Sequence, residues 1–134
     1  MKPLILTAIA LVLAPACGGG SSGKARPEQA TFEVKVSETD PEGGLWDRLD
    51  SEGRPDIALC IESRVGKRCY PDDKLNSSQC PDSFACTFQG VSIPPEEFKV
   101  TVIDVDAVNN ETVGEATCDW DETCTVGMAK VKIQ

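Results

Sequence analysis

The sequence predicts an all-β protein, an antiparallel β-sandwich of seven to eight short strands cross-linked by disulfides. Runs of alternating apolar and polar residues recur along the chain, and turn-rich segments separate them. Six of the seven cysteines fall between residues 60 and 124. Alternation with a period of two is typical of strands with one buried face, and several short strands at regular spacing indicate a sandwich.

Five segments carry the strand pattern in order along the chain. They are FEVKVS (32–37), IALCIES (57–63), SFACTF (83–88), FKVTVI (98–103) and TVGMAKVKI (125–133). Between them lie segments such as TDPEGG, YPDDKLNSSQCPD and VNNE. Their Asp, Asn, Gly and Pro residues favour turns. We therefore place the β-sandwich domain at residues 31–134, a size at which cross-links help a modest core.

The cysteines after residue 31 are even in number and predict a disulfide framework in an exported chain. They are Cys60, Cys69, Cys80, Cys86, Cys118 and Cys124. Six cysteines allow 15 connectivities. We prefer the local pairing 60–69, 80–86 and 118–124, because ESRVGKR between the first two predicts a hairpin that sets them opposite each other. A metal-thiolate site fits badly, since no two cysteines are spaced CxxC.

Residues 1–16 are predicted to be a signal peptide. The chain starts with a basic residue, Lys2, and continues with an apolar run from Leu4 to Leu13. A run of about ten apolar residues is too short for a transmembrane helix, which needs roughly twenty, and suits a secretory signal.

The end of this segment, LAPAC followed by GGGSSG, resembles the lipobox of bacterial lipoproteins, although Ala14 stands where that family prefers leucine. The resemblance implies that Cys17 is the lipidated first residue of the mature protein and attaches it to a membrane. Residues 17–30 would then form a flexible linker. Gly18 after the cysteine implies an outer-membrane location in the cell envelope, facing the periplasm or the cell surface. The alternative is an ordinary secreted protein cut near Ala16.

Charge excludes several classes of function. The chain has 13 Lys and Arg against 22 Asp and Glu, a formal net charge of −9. Such a chain has nothing basic with which to displace counterions from nucleic acid or to bind an anionic membrane unaided. Histidine is absent from the sequence, which excludes Ser-His-Asp and Cys-His catalysis and zinc sites that use imidazole.

Two acidic segments stand out, one before a predicted strand and one after another. Asp104, Asp106 and Glu111 follow the alternating run VTVI, while Asp50 and Asp56 precede IALCIES. Loops gather at the ends of a sandwich, so we expect the two segments to meet. Like charges about 4 Å apart near a surface repel by roughly 4 kcal/mol, and Ca²⁺ takes six to eight oxygens from such loops. The alternative is two solvated turns.

Together the two segments resemble the calcium- and phospholipid-binding C2 domain. The first loop of that family has the form D-x-x-G-x-S-D-P-Y, and this chain has DSEGRPDIA (50–58), with Ile and Ala for Pro and Tyr. The third loop has D-x-D and then N-D-x-(I/L)-G, and this chain has DVD (104–106) and NETVG (110–114), with a glutamate for one aspartate. The resemblance covers about residues 32–134.

The resemblance implies a C2-like Greek key that binds Ca²⁺. Carried over position by position, the implied ligands are Asp50, Asp56, Asp104, Asp106 and Glu111. Trp46, just before the first loop, is expected to plug the end of the core, and Val108 is the better candidate for an exposed loop tip.

We therefore expect a lipid-anchored, non-catalytic protein that binds Ca²⁺ and contacts phospholipid headgroups or a protein partner, but not nucleic acid. A metal-free, disulfide-stabilised interaction or structural domain is the alternative. An enzyme, such as a glycosidase using paired carboxylates, is the weakest hypothesis, because a domain of this size has no evident substrate cleft.

Overall fold

A computed structural model describes residues 24–46 and 53–134 of the chain. These residues form eight strands and confirm the predicted all-β class. The strands are β1 (Gln29–Val36), β2 (Ile57–Ser63), β3 (Gly66–Tyr70), β4 (Ala85–Ser92), β5 (Phe98–Asp104), β6 (Glu111–Cys118), β7 (Thr123–Val126) and β8 (Ala129–Ile133). In the two described ranges, no helix is long and apolar enough to cross a bilayer.

The strands form two four-stranded sheets that pack face to face. One sheet has the order β4-β1-β8-β7 and the other the order β3-β2-β5-β6, and every neighbouring pair is antiparallel. The core lies between them. Phe32 of β1 and Phe98 of β5 meet across the sheets with ring centroids 6.1 Å apart. The alternating pattern of β1 places Phe32, Val34 and Val36 in this core, as the period-two reading predicts.

A second, smaller apolar cluster lies apart from this core and includes residues of β2, β3 and β5. It consists of Ala58, Cys60, Cys69 and Ile103, with Leu75 and Val105 packed against it. Both faces of β2 are therefore buried near its start, which explains why IALC is apolar without a break.

The disulfides follow the predicted local pairing. Cys60 bonds to Cys69, Cys80 to Cys86 and Cys118 to Cys124. Cys60 and Cys69 are direct cross-strand partners in the β2–β3 hairpin, with Cα atoms 4.1 Å apart. The hairpin expected from ESRVGKR is thus present.

Two features of the strands differ from the sequence prediction. Strand β6 was not among the predicted segments, because its glycine and charged residues weaken the apolar alternation. The run 125–133 is not one strand, since Gly127 adopts a φ of 56° and turns the chain between β7 and β8. A left-handed turn of this kind favours glycine.

Candidate calcium site

Adjacent strand ends bring the two predicted acidic segments together. Asp56 immediately precedes β2, and Asp104 is the last residue of β5. These strands are antiparallel neighbours, and Ile57 pairs with Asp104. Two aspartates that are 48 residues apart in the sequence are therefore joined by a hydrogen bond.

Asp104 is a buried carboxylate with one oxygen satisfied. Its side chain is 1% exposed, and its Oδ1 accepts the backbone N–H of Asp56 at 2.7 Å. The other oxygen, Oδ2, is buried without a hydrogen-bond partner among the described residues. The pKa of Asp104 is raised to about 7, chiefly by burial and then by the charges of Asp106, Asp56 and Glu111, against the lowering effect of the Asp56 hydrogen bond.

Asp56 also ties this end of the sandwich to two other segments. Its Oδ1 accepts the backbone N–H of Asp82 at 2.6 Å, and its carbonyl accepts the N–H of Val105 at 2.8 Å. The start of β2 is thereby fixed to the loop that follows β5. The position of Asp56 therefore depends on these hydrogen bonds to backbone N–H groups as well as on the pairing of β2 with β5.

Asp106 and Glu111 border the loop between β5 and β6. The N–H of Asp106 donates to Oδ1 of Asn110 at 3.0 Å across that loop, and Glu111 is the cross-strand partner of Asp104. We call the group of Asp56, Asp104, Asp106 and Glu111 the acidic end. Four of the five ligands implied by the C2 resemblance thus lie at one end of the sandwich, and Asp50 lies outside the described residues.

A groove of about 790 Å³ opens beside the acidic end, between the segment after β1 and the loop after β5. Asp106 and Glu111 line it, and so do Asp40 and Glu42, which the sequence analysis did not identify as site residues. The segment TDPEGG around them predicts a turn, and Asp40 stabilises one. Its Oδ1 accepts the N–H groups of Glu42 and Gly44 at 2.9 and 2.7 Å.

Apolar residues, together with Asn109 and Thr112, form the rest of the groove wall and its rim. Trp46 is buried in the core, and its Nε1 donates to the carbonyl of Ser37 at 2.7 Å, which confirms its expected role as a plug. Val108 is 85% exposed and Leu45 is 51% exposed. Two of the three large exposed hydrophobic residues in the described ranges therefore border the acidic groove.

The donors at the acidic end suit Ca²⁺, which prefers carboxylate oxygens on flexible loops. Their oxygens are not tightly gathered, however. Within residues 24–46 and 53–134, the one group of three metal-binding side chains with ligand atoms mutually within 4.8 Å is Cys118, Glu122 and Cys124. Its two cysteines are bonded to each other and offer no thiolate. Calcium binding at the acidic end would require side-chain rotation to draw the oxygens inward.

Cys17, the predicted lipidation site, lies outside the described residues. No protein-family model and no curated protein sequence matches the chain. The functional assignment therefore depends on the residues themselves.

Proposed function

We propose that this chain is a lipid-anchored, exported bacterial protein whose C2-like domain binds Ca²⁺ at the acidic end. The bound ion would mediate contact with an anionic membrane surface or with a protein, without catalysis. The observation that carries the proposal is Asp104, a buried carboxylate whose Oδ2 has no hydrogen-bond partner in the described part of the chain.

An unpaired buried charge is costly unless a counterion or hydrogen bonds compensate it. Asp56, Asp106 and Glu111 add negative charge around Asp104 instead of compensating it. A divalent cation would offset part of this negative charge and give Asp104 a counterion, because it attracts all four carboxylates at once. By the C2 resemblance, Asp50 would supply the fifth carboxylate. A bound Ca²⁺ takes six to eight oxygens, so an anionic group of a partner could complete its coordination as a direct ligand.

The anchor and the compartment are supported by two independent features. The lipobox-like LAPAC supports lipidation of Cys17, and the three disulfides agree with an oxidising location outside the cytoplasm. We place the protein in the cell envelope, at the outer membrane. Calcium there is abundant, so a Kd of about 10⁻⁴–10⁻³ M, as in extracellular calcium modules, would suffice.

A metal-free interaction domain is the second candidate. The wide spacing of the carboxylate oxygens favours it, since the described residues of the acidic end do not form a closed group of ligands. Under this alternative, the disulfide-bonded sandwich would present a surface for protein binding without a bound metal.

Calorimetric titration of the purified chain with Ca²⁺ distinguishes the two candidates. We expect saturable heat from the wild type and its loss in Asp106→Asn, a variant that removes one charge from an exposed loop without touching the core. Asp121→Asn is the matched control. It makes the same change at an exposed position with a φ of 61°, which asparagine tolerates. Absence of saturable heat in the wild type would favour the metal-free domain.

A further inference from the structure

The first described residues are fixed to the sandwich by Arg26. Its Nε donates to the carbonyl of Pro94 at 2.9 Å, and its Nη2 donates to the carbonyl of Glu96 at 2.7 Å. Its Nη1 forms an ion pair with the carboxylate of Asp119, and this contact lowers the pKa of Asp119. One side chain thus holds the start of the domain to two separate loops. We call Arg26, Pro94, Glu96 and Asp119 the tether end.

The tether end and the acidic end lie at opposite ends of the sandwich. Strand β5 begins at Phe98, just after Pro94 and Glu96, and ends at Asp104. Phe98 pairs with Cys118, next to Asp119, whereas Asp104 pairs with Glu111. A strand rises by about 3.3 Å per residue, so the six steps of β5 separate the two ends by about 20 Å, and the loops at each end add to this distance.

From this geometry we propose that Arg26 directs the acidic end away from the membrane that holds Cys17, so that the calcium-loaded end binds an anionic phospholipid surface other than its own bilayer. This inference rests on the proposed function, because it requires lipidated Cys17 and bound Ca²⁺. It adds the direction in which the site faces.

The number of residues between Cys17 and Arg26 limits how far the sandwich can lie from the anchoring bilayer. Cys17 and Arg26 are nine residues apart in the sequence, and nine residues span at most about 30 Å whatever their conformation. End-on contact of the acidic end with the anchoring bilayer would place the whole sandwich between that bilayer and Arg26. The nine residues would then have to be almost fully extended, which is a costly restriction of the chain.

Without Arg26, the chain is next held at Glu28, whose carbonyl accepts the N–H of Ile93 at 3.0 Å. Glu28 is eleven residues from Cys17, and at the same rise per residue that length reaches up to about 36 Å. Loss of the Arg26 contacts therefore lengthens the reach by about 6 Å, which relieves the restriction on turning the acidic end back toward its own bilayer.

The surroundings of the acidic end favour a lipid surface over a protein as the ligand. The exposed side chains of Val108 and Leu45 flank the carboxylates. Apolar side chains beside a bound cation match the interface of an anionic bilayer, where headgroup phosphates lie next to acyl chains. A protein ligand is the alternative outcome of the experiment below.

The two tryptophans of the chain report on the two ends separately. Trp46 lines the groove beside the acidic end, and Trp120 follows Asp119 at the tether end. We would express the full chain, purify the lipidated protein and reconstitute Trp120→Phe at less than one molecule per vesicle of phosphatidylcholine and phosphatidylglycerol. Energy transfer from Trp46 to a dansyl-labelled lipid is then measured with the dansyl lipid either in the anchoring vesicles or in a second population.

With Ca²⁺ we expect transfer from Trp46 to the second population, reversed by EDTA, and no calcium-dependent transfer to the anchoring vesicles. Adding Arg26→Ala should allow calcium-dependent transfer to the anchoring vesicles. Arg64→Ala is the matched control, because Arg64 forms an exposed ion pair with Glu96 at the same end but lies on the β2–β3 hairpin. It should behave like its parent. Circular dichroism melting checks that each variant is folded.

Calcium-dependent transfer to the anchoring vesicles with Arg26 intact would overturn the inference, as would identical behaviour of the Arg26→Ala protein. If the titration shows heat of Ca²⁺ binding but Trp46 transfers energy to neither vesicle population, the lipid surface is ruled out as the ligand. A protein ligand then remains. Mass spectrometry of the N-terminus and the calcium titration report on the proposed function separately. An unlipidated N-terminus or absent calcium heat would refute that function and, with it, this inference.

Discussion

The backbone N–H of Asp56 donates to Oδ1 of Asp104, and this 2.7 Å bond joins the start of β2 to the end of β5. The bond satisfies one carboxylate oxygen and leaves Oδ2 buried, with no partner in residues 24–46 or 53–134. Burial raises the pKa of this carboxyl group to about 7, so below that pH and without a cation its protonated form is the more stable one. Two predictions depend on this relationship.

In EDTA, the free energy of unfolding should fall as the pH rises from about 4 to about 7. The pKa of Asp104 is raised from 3.8 to about 7, first by burial and then by the charges of Asp106, Asp56 and Glu111, against the Asp56 hydrogen bond. Between these values the folded protein keeps the proton and the unfolded chain releases it, so stability is lost as the pH rises. Urea unfolding at several pH values measures the slope.

Asp104→Asn is the control for that slope, because its amide does not titrate. We expect the variant to lose less stability than the wild type across this pH range. Equal slopes for the two proteins would contradict the assignment of the effect to Asp104.

At pH 8, Asp104→Asn should change stability in opposite directions with and without calcium. In EDTA the variant should melt at a higher temperature than the wild type, since a neutral amide keeps an oxygen for the Asp56 N–H without burying a charge. If Ca²⁺ binds as proposed, the wild type should gain about 2.7 kcal/mol at about 100 times the Kd, and a variant with a weakened site should gain less. Calorimetric melting measures both. A variant that is less stable in both conditions would contradict the prediction.

Most of the fold was predictable, because a strand with one buried face alternates apolar and polar residues, and this alternation is visible in a single sequence. Strand β2 occupies the predicted residues 57–63. The convergence of Asp56 with Asp104 was predictable from loop placement in a sandwich. The place of Asp40 in the groove was not, since its local sequence specifies a turn and only the path of the chain after β1 brings it to the site. Strand β6 was also missed, because Gly114 and the charged residues around it interrupt the apolar pattern.

Removing the Cys60–Cys69 disulfide should lower stability without abolishing calcium binding. The bridge closes a segment with a sequence separation of 9, and a loop of this size contributes about 2–3 kcal/mol by restricting the unfolded chain. Cys60 pairs across to Thr101, three residues before Asp104, so the acidic end keeps its own backbone bonds. We expect Cys60→Ala/Cys69→Ala to unfold at a lower urea concentration than the wild type and to retain the heat of Ca²⁺ binding in the calorimetric titration. Loss of that heat in a folded variant would contradict the separation of the two regions.

Replacing Gly127 by alanine should destabilise the protein by more than replacing Gly90. Both glycines have positive φ values, 56° and 65°, so alanine in either carries a left-handed strain of about 1–2 kcal/mol. A Cβ at Gly127 would also lie 2.6 Å from the Cα of Gly114 and 2.7 Å from the carbonyl oxygen of Val113, whereas a Cβ at Gly90 meets nothing closer than 3.7 Å.

The additional cost arises where the two sheets meet at their edges. Gly114 and Val113 lie on β6, and the N–H of Met128 donates to the carbonyl of Val113 at 3.2 Å, which joins β6 to the β7–β8 turn. Overpacking of backbone against backbone typically adds about 1–3 kcal/mol. Urea unfolding of Gly127→Ala and Gly90→Ala should therefore differ by that amount. Equal costs would mean that this junction separates freely and that the edge contact does not stabilise the sandwich.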